Sequence, residues 1–596
     1  MQMRSALLAL TILPASWASE ITHGPILGRL SSDGIAVWAR TKTEGEFRVR
    51  YGTSPTNLNQ LSEPVRTALE HDNTGWVLIR GLQPHTTYHY EVVGDTGPRS
   101  PDELRGDFRT LPDHETFKHS RYNPDGRFNF SFEYACGNNP RGALELPTFR
   151  TMNEKIAATI DFAILDGDWL YEEERDYAPA EWLRQVAADR TPRVVELAPT
   201  IVGVWENYKT YLSRGKPLAA WHKEVPSFFM FDDHEMLNDL NGAGTPGLRH
   251  RRPAFRDIGL EAWDDYLGWA DPIDWQQDIQ MGRAQLKAGS DVLVDEQADF
   301  RELKLDQIAT LTVHWGTPDA GTPTADDLIG GDPNAGVYAV EEVLGRNRLR
   351  ISPAPKHDGE QSYSIGRFWH FSKKISNAEF FYVDTRSHRQ MHDIDDPFDA
   401  SVSILGAPQK AWLKKGMRAS DADFLFVVSS VNLMVPHIRA GEVKGNKDEA
   451  WTSVAAEREE MIEFWDSLGK PVFVLTGDLH NSFAIKITDR VWEFASGPHN
   501  SSNHFLGEEN NRPTSGKFES RGRECEIRWS TFVPNGVGGR KRRPVYTVVK
   551  VNNTFRVPSD QPGGDIEAAV DVPQVTFQYY DGLNGELLYA ESILAR

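Results

Sequence analysis

The sequence predicts an α/β (α+β) layered β-sandwich flanked by helices, with a small all-β domain in front of it. Three observations carry this. At 596 residues the chain exceeds the size at which one hydrophobic core stops growing, so two or more domains are expected. Residues 21–112 alternate apolar and polar positions in short runs separated by Gly, Pro, Ser and Asn, the pattern of an antiparallel sandwich. After about residue 127, apolar runs of strand length alternate with helical patterns, the texture of a layered core.

Taken in order, residues 1–18 carry Arg4, an apolar run from Ala6 to Pro14 and the small-residue end Ser16-Trp17-Ala18. This is the pattern of a signal peptide, so the mature chain is expected to be exported, either periplasmic or secreted. Residues 19–113 form the small sandwich, with strand-like runs at Gly34–Arg40 and Phe47–Tyr51. Within it, Gly81-Leu82-Gln83-Pro84-His85-Thr86-Thr87-Tyr88-His89-Tyr90 resembles the corner of fibronectin type III domains, where a leucine and a tyrosine pack across the two sheets. The stretch from Asp113 to Arg127 is polar and linker-like, and a catalytic domain is expected over 125–596. A helix is predicted within Ala450–Leu468, where Val454, Met461, Trp465 and Leu468 fall near helical spacing. The Asp, Gly and Pro content of 275–370 predicts loops and a peripheral cap inserted into the domain, and the tail 544–593 returns to strand texture that completes a sheet.

Composition narrows the function. With 86 acidic against 65 basic residues the net charge is -21, which disfavours a nucleic-acid surface and suits divalent cations. After the leader, no run approaches the ~20 apolar residues of a membrane span. The two cysteines, Cys136 and Cys525, allow one disulfide at most, and Cys525 is left as a spare thiol if Cys136 binds a metal. Gly242–Gly247 matches GxGxxG by letter, but no strand precedes it and Pro246 sits where a helix would open, so it reads as a loop. P-loop, GxSxG and HExxH signatures are absent from the sequence.

Four apolar runs stop abruptly on chemistry-bearing residues: Phe128–Ala135 on Cys136, Phe162–Leu165 on Asp166-Gly167-Asp168 with Tyr171 beyond, Phe228–Phe231 on Asp232-Asp233-His234-Glu235, and Val472–Thr476 on Gly477-Asp478-Leu479-His480. Functional groups gather just beyond the carboxyl ends of strands in α/β sheets, so these endings are expected to converge on a metal site. Adjacent carboxylates repel, and the Asp232–Glu235 cluster is awkward without cations. In extended chain, Asp478 and His480 would point the same way and grip one ion.

At these residues the chain resembles the alkaline phosphatase D family, the PhoD-like metallophosphoesterases. The matching pieces are Gly167-Asp168-x-x-Tyr171, Asp232-Asp233-His234-Glu235-x-x-Asn238, Tyr382-Val383-Asp384-Thr385-Arg386, Leu405-Gly406-x-x-Gln409-x-x-Trp412-Leu413 and Gly477-Asp478-x-His480. The resemblance implies a metallophosphatase-type fold and a ferric ion held with calcium ions, Fe3+ and Ca2+, other divalent metals being compatible. It places Cys136, Asp168 and Tyr171 on iron with Asp478 or His480, and Asp233 and Asn238 on neighbouring positions with Asp168 bridging. Asp166 departs from the family, which often carries a histidine or an uncharged residue there.

The expected activity is hydrolysis of a small phosphate ester, monoester or diester, by a metal-activated oxygen nucleophile attacking phosphorus in line. His234 is the candidate to protonate the leaving oxygen or to orient the substrate. Arg256 and Arg386, with Arg389, are candidate phosphate clamps, because guanidinium matches phosphate in bidentate fashion; the alternative for Arg386 is a scaffold pairing with neighbours of Asp384. The competing readings are a phospholipase D-like phosphodiesterase acting on phospholipids and a non-catalytic calcium-binding exported protein. Oligomeric state has no signature in the sequence.

Overall fold

The computed structural model describes residues 19–95, 97–139, 147–172, 177–249, 252–273, 277–314, 333–438, 447–531, 543–558 and 564–595. The leader predicted over residues 1–18 and the Gly316–Pro323 stretch lie outside them.

The core is two β-sheets packed face to face. One has six strands in the order Ser227–Met230, Phe162–Asp166, Phe130–Ala135, Val545–Val557, Ile566–Asp581 and Leu587–Leu594; the first three run parallel. The other has eight, beginning Phe371–Ile375, Ala378–Val383, Phe424–Ser429, Val472–Thr476 and Val491–Ala495. Phenylalanines fill the space between: the rings of Phe132 and Phe426 lie 5.7 Å apart, and those of Phe473 and Phe577 5.2 Å. Runs with no polar alternation are what a strand covered on both faces requires. Helices Ile201–Arg214 and Phe255–Tyr266 pack outside the first sheet, and Gly406–Ala419 and Ala455–Ser467 outside the second. The strands of the tail complete the first sheet, as expected.

One expectation is corrected. The 275–370 segment holds a closed six-stranded barrel, formed by Gln280–Leu286, Val292–Val294, Ile308–Val313, Gly336–Gly345, Arg348–Ser352 and Gly359–Arg367. Its core is small, built on Leu293, Phe300, Leu311, Leu349 and Tyr363, and its short strands are separated by Asp, Gly and Pro turns. Those turns dominate the local composition and hide the strands between them.

In the N-terminal sandwich, Leu82 and Tyr88 are buried and the Tyr88 hydroxyl accepts from the Gln83 amide at 2.9 Å, closing the corner. This domain is joined to the helices of the larger domain through Asp72. Fully buried, Asp72 accepts from Arg40 Nε and Nη2 at 3.0 and 2.9 Å and from Trp182 Nε1 at 3.1 Å. Burial alone would raise its pKa, but Arg40 and Lys209 outweigh that and hold it well below the usual carboxylate range. A carboxyl depressed in this way contributes stability above the unfolded-state pKa, lost as pH falls through the acid range. Asp72→Asn leaves Arg40 buried without its counter-charge and is expected to cost about 3–5 kcal/mol, read by chemical denaturation at neutral pH; a loss under about 1 kcal/mol would refute this account of the junction.

Candidate metal centre

The parallel strands deliver their carboxyl ends to one edge of the sandwich. Asp166 pairs with Met230 and Leu165 with Ala135 across the first sheet, so the residues that follow emerge side by side. Gly167 has φ 85°, and a Cβ there would lie 2.7 Å from Asp232 Cβ, so only glycine lets these two strand ends pass. Gly477 is equally confined: a Cβ would lie 2.9 Å from Cys136 Sγ. Asp168, Asp478 and His480 all sit in left-handed backbone, at φ 53°, 61° and 52°. Such conformations cost of order 1–3 kcal/mol each and cluster where side chains are aimed for function.

These ends surround a cavity of about 420 Å³. Of the residues singled out in the sequence, Asp168, Tyr171, Asp233, His234, Asn238, Asp478 and His480 line it. Cys136 is buried beneath, 2% exposed, against Gly477 and Gly497. Among the described residues, three sets of potential ligand atoms fall within 4.8 Å of one another: Asp168, Asp233 and His234; Asp232, Asp233 and Asp478; and Asp233, Asp239 and Glu449. Asp233 belongs to all three.

Hydrogen bonds fix the outer side chains. Tyr171 Oη lies 2.7 Å from His480 Nε2 and 3.2 Å from Asp168 Oδ2, while His480 Nε2 lies 3.1 Å from that same oxygen. His437 Nδ1 is 2.8 Å from Asp478 Oδ2, and His234 Nδ1 is 2.7 Å from Glu172 Oε2. Asp478 and His480 therefore diverge, one toward His437 and the other toward Tyr171. The i, i+2 argument is corrected, because the left-handed turn between them replaces the extended chain it assumed.

The electrostatics are unbalanced. Burial, reinforced by Glu449, pushes Asp233 up to about 8, and burial holds Asp168 well above the usual carboxylate range. His480 is pushed down to about 4 by burial. Burial also opposes a charged His234, yet Glu172, Asp233 and Asp168 outweigh it and hold that ring well above the ordinary histidine value. Burial and then Asp168, Asp166 and Asp478 push the Cys136 thiol up. Asp168 Oδ1 and Asp232 Oδ2 are buried with no hydrogen-bond partner among the described residues. Orphaned carboxylate oxygens at the base of an acidic cavity are what bound cations satisfy, so this donor set fits metal ions.

The three predicted clamps are corrected. Arg256 is fully buried outside the cavity wall, forked onto Asp257 at 2.8 and 3.0 Å and donating to the carbonyls of Thr310 and Ala243 at 3.0 and 3.2 Å. Arg386 is fully buried too, at 2.6 Å from both Asp232 Oδ1 and Glu449 Oε2, with a further bond to the Leu240 carbonyl. Arg256 binds one carboxylate in bidentate fashion and Arg386 gives one bond to each of two, and in both the partners belong to the scaffold. Arg389 likewise donates inward, to the Asp448 carbonyl and Ser453.

Sequence reasoning missed Glu172, Asp239, His437, Lys447 and Glu449. Lys447 bonds both Asp239 and Glu449, and those two carboxylates hold its pKa above the usual value despite burial. It missed Glu235 as a staple: Oε2 accepts from the amides of Asp168 and Asp232 at 3.1 and 2.8 Å, and Oε1 from Trp169 at 2.6 Å. A signal existed for His437, which ends the short apolar run Leu433–Pro436. Lys447 and Glu449 lie in a loop with no such run before them.

The chain matches the PhoD-like phosphatase family over residues 130–310 and 363–533, and the N-terminal domain of PhoD-like phosphatases over residues 10–112. The unmatched interval holds the barrel strands Gly336–Gly345 and Arg348–Ser352. Comparison with curated proteins gives no match. Among solved structures, PhoD is similar at 15% identity and a TM-score of 0.54, over 97% of this chain and 93% of that one. The purple acid phosphatase PPD1 from yellow lupin (Lupinus luteus) seeds is similar at 10% identity and a TM-score of 0.46, over 96% of this chain and 74% of that one. The family match spans more than half of the 596 residues, and the likeness to PhoD reaches from the N-terminal sandwich through the strand ends that carry the acidic cavity. The chain therefore belongs to the PhoD-like phosphatase family.

Proposed function

We propose that this chain hydrolyses phosphate monoesters or diesters at a site holding a ferric ion and calcium ions. The single observation that carries this is Asp233: one carboxylate shared by three candidate ligand sets, above orphaned oxygens of Asp168 and Asp232. Cys136, Asp168, Tyr171 and either Asp478 or His480 are the residues proposed for iron, since thiolate and phenolate suit a ferric ion. Asp233 and Asn238 offer the hard oxygens that suit calcium. When bound, such ions supply Lewis acidity, neutralising phosphoryl oxygens and lowering the pKa of a water.

The chain's own residues supply position and a proton. Glu172 fixes the His234 ring and favours its charged form, the state able to protonate a leaving oxygen at the cavity. Arg386 holds Asp232 and Glu449 in place, which keeps the acidic wall rigid as substrate arrives. The leader-like residues 1–18 support export, and no helix among the described residues is long and apolar enough to cross a membrane.

Elemental analysis of protein purified without chelator is expected to find iron near one per chain together with calcium, and chelation to abolish hydrolysis of p-nitrophenyl phosphate and bis-p-nitrophenyl phosphate. Calcium without iron and no turnover would favour a calcium-binding protein instead. Asp233→Asn, which alters all three ligand sets at once, should lower kcat by roughly 10³-fold or more and reduce metal content; full metal content with near-normal kcat would sink the shared-ligand assignment. His234→Asn should lower kcat by roughly 10²–10⁴-fold, more for phenyl than for p-nitrophenyl esters, because the poorer leaving group needs the proton more. An equal loss on both would remove His234 from the acid role.

A further inference from the structure

The cavity at the metal centre is not isolated. A second one, of about 550 Å³, adjoins it, and Ile438 and Lys447 line both. The hairpin of strands Gly516–Ser520 and Arg523–Ser530 forms part of its wall. Ser520 pairs with Arg523, so the hairpin closes over two residues, Arg521 and Gly522, at φ 47° and 84°. A tight turn with left-handed backbone at both positions is normally built with Asn, Asp or Gly in the first of them. Arginine there is disfavoured, so the turn does not account for it. It stands in the cavity wall with its side chain 35% exposed. Among the described residues the only ion pair of Arg521 is a long one, 3.8 Å to Asp448 Oδ2. That carboxylate is already engaged, accepting from the His437 and Ala450 amides at 3.1 and 3.2 Å and from Thr452 Oγ1 at 2.7 Å. The other arginine in the wall, Arg512, is 2.7 Å from Glu509 and donates to the Pro513 carbonyl and Ser530. Arg521 is thus the cation of this cavity with the weakest internal commitment. Asn510 and Asn511, also left-handed at φ 53° and 52°, line the same cavity, and Ile394, Pro436 and Phe518 give the space an apolar wall.

We propose that this adjoining cavity is a leaving-group subsite, taking an organic alcohol with an apolar body and a second anionic group that pairs with Arg521. The inference rests on the phosphate-ester reading of the metal centre. Hydrolysis there consumes one water, breaks the ester P–O bond, and returns phosphate and the alcohol, whose oxygen takes the proton; the subsite would hold that alcohol.

The test compares phenyl phosphate with 4-carboxyphenyl phosphate, by phosphate release from the metal-loaded full chain, in wild type and in Arg521→Asn, which keeps a residue suited to the left-handed turn. Wild type should prefer the carboxylated ester in kcat/KM, and the variant should shrink that preference roughly tenfold, the worth of one charge-assisted pair. An unchanged ratio overturns the subsite. If wild type turns over neither ester, the monoesterase reading fails by itself, and calorimetric titration with 4-hydroxybenzoate decides the subsite separately. Binding that weakens in Arg521→Asn supports it; equal binding in both proteins, or none in wild type, overturns it.

Discussion

The constraint on which the rest depends is the burial of more negative charge than the protein's own cations offset. Asp166, Asp168, Asp232, Asp233, Asp239, Glu449 and Asp478 are gathered at the end of one sandwich, almost entirely out of water, against Arg386, Lys447, His437 and His234. Removing carboxylates from water without pairing them is costly, and proteins answer by protonation or by binding cations. The raised pKa values of Asp166, Asp168 and Asp233 describe the first answer. Bound cations would provide the second, and would reverse the shift at Cys136 as well, since a coordinated thiol loses its proton.

Much of the surrounding structure keeps that cluster from relaxing. Glu235 ties the amides of Asp168 and Asp232 together, so two strand ends move as one. Gln409 exchanges two hydrogen bonds with the Asp384 backbone, and the Asp384 carboxylate in turn caps the amides of Arg386 and Ser387. That chain of contacts aims Arg386 at Asp232 and Glu449. The residues flanking the ligands are therefore no less specified than the ligands. Arg256 plays a comparable part farther out, binding the barrel strand Ile308–Val313 to helix Phe255–Tyr266.

The peripheral modules fit around this centre without sharing its chemistry. The sandwich domain is anchored by the buried Asp72 network, with Trp38 Nε1 donating to the Asp265 carbonyl and Tyr90 Oη to that of Lys223. The barrel has its own small core and joins through Thr310 and Ser364, whose hydroxyl donates to Asp257 at 2.6 Å. Both junctions run through buried polar groups, which fix orientation more sharply than an apolar seam does.

What the sequence determined by itself was the strand ends and the chemistry they carry. An unbroken apolar run buried on both faces has a local signature, and a glycine before an acidic residue marks where it must turn, so Cys136, Asp168, Asp233, Asp478 and His480 were legible one segment at a time. The corner at Leu82 and Tyr88 was legible through its resemblance to that of fibronectin type III domains. Tertiary structure alone decided the partners. An arginine's sequence carries its geometry and not its target, so Arg256 and Arg386 could be read as clamps until their carboxylates were located. Asp239, Lys447 and Glu449 meet only because segments two hundred residues apart are brought to one edge of the sandwich. The direction of Asp478 and His480 depended on left-handed backbone that neighbouring strands impose, and the barrel on pairings between short strands whose turns outweigh them in composition. Local periodicity records which face of a strand is buried; it holds no record of what lies across from its end.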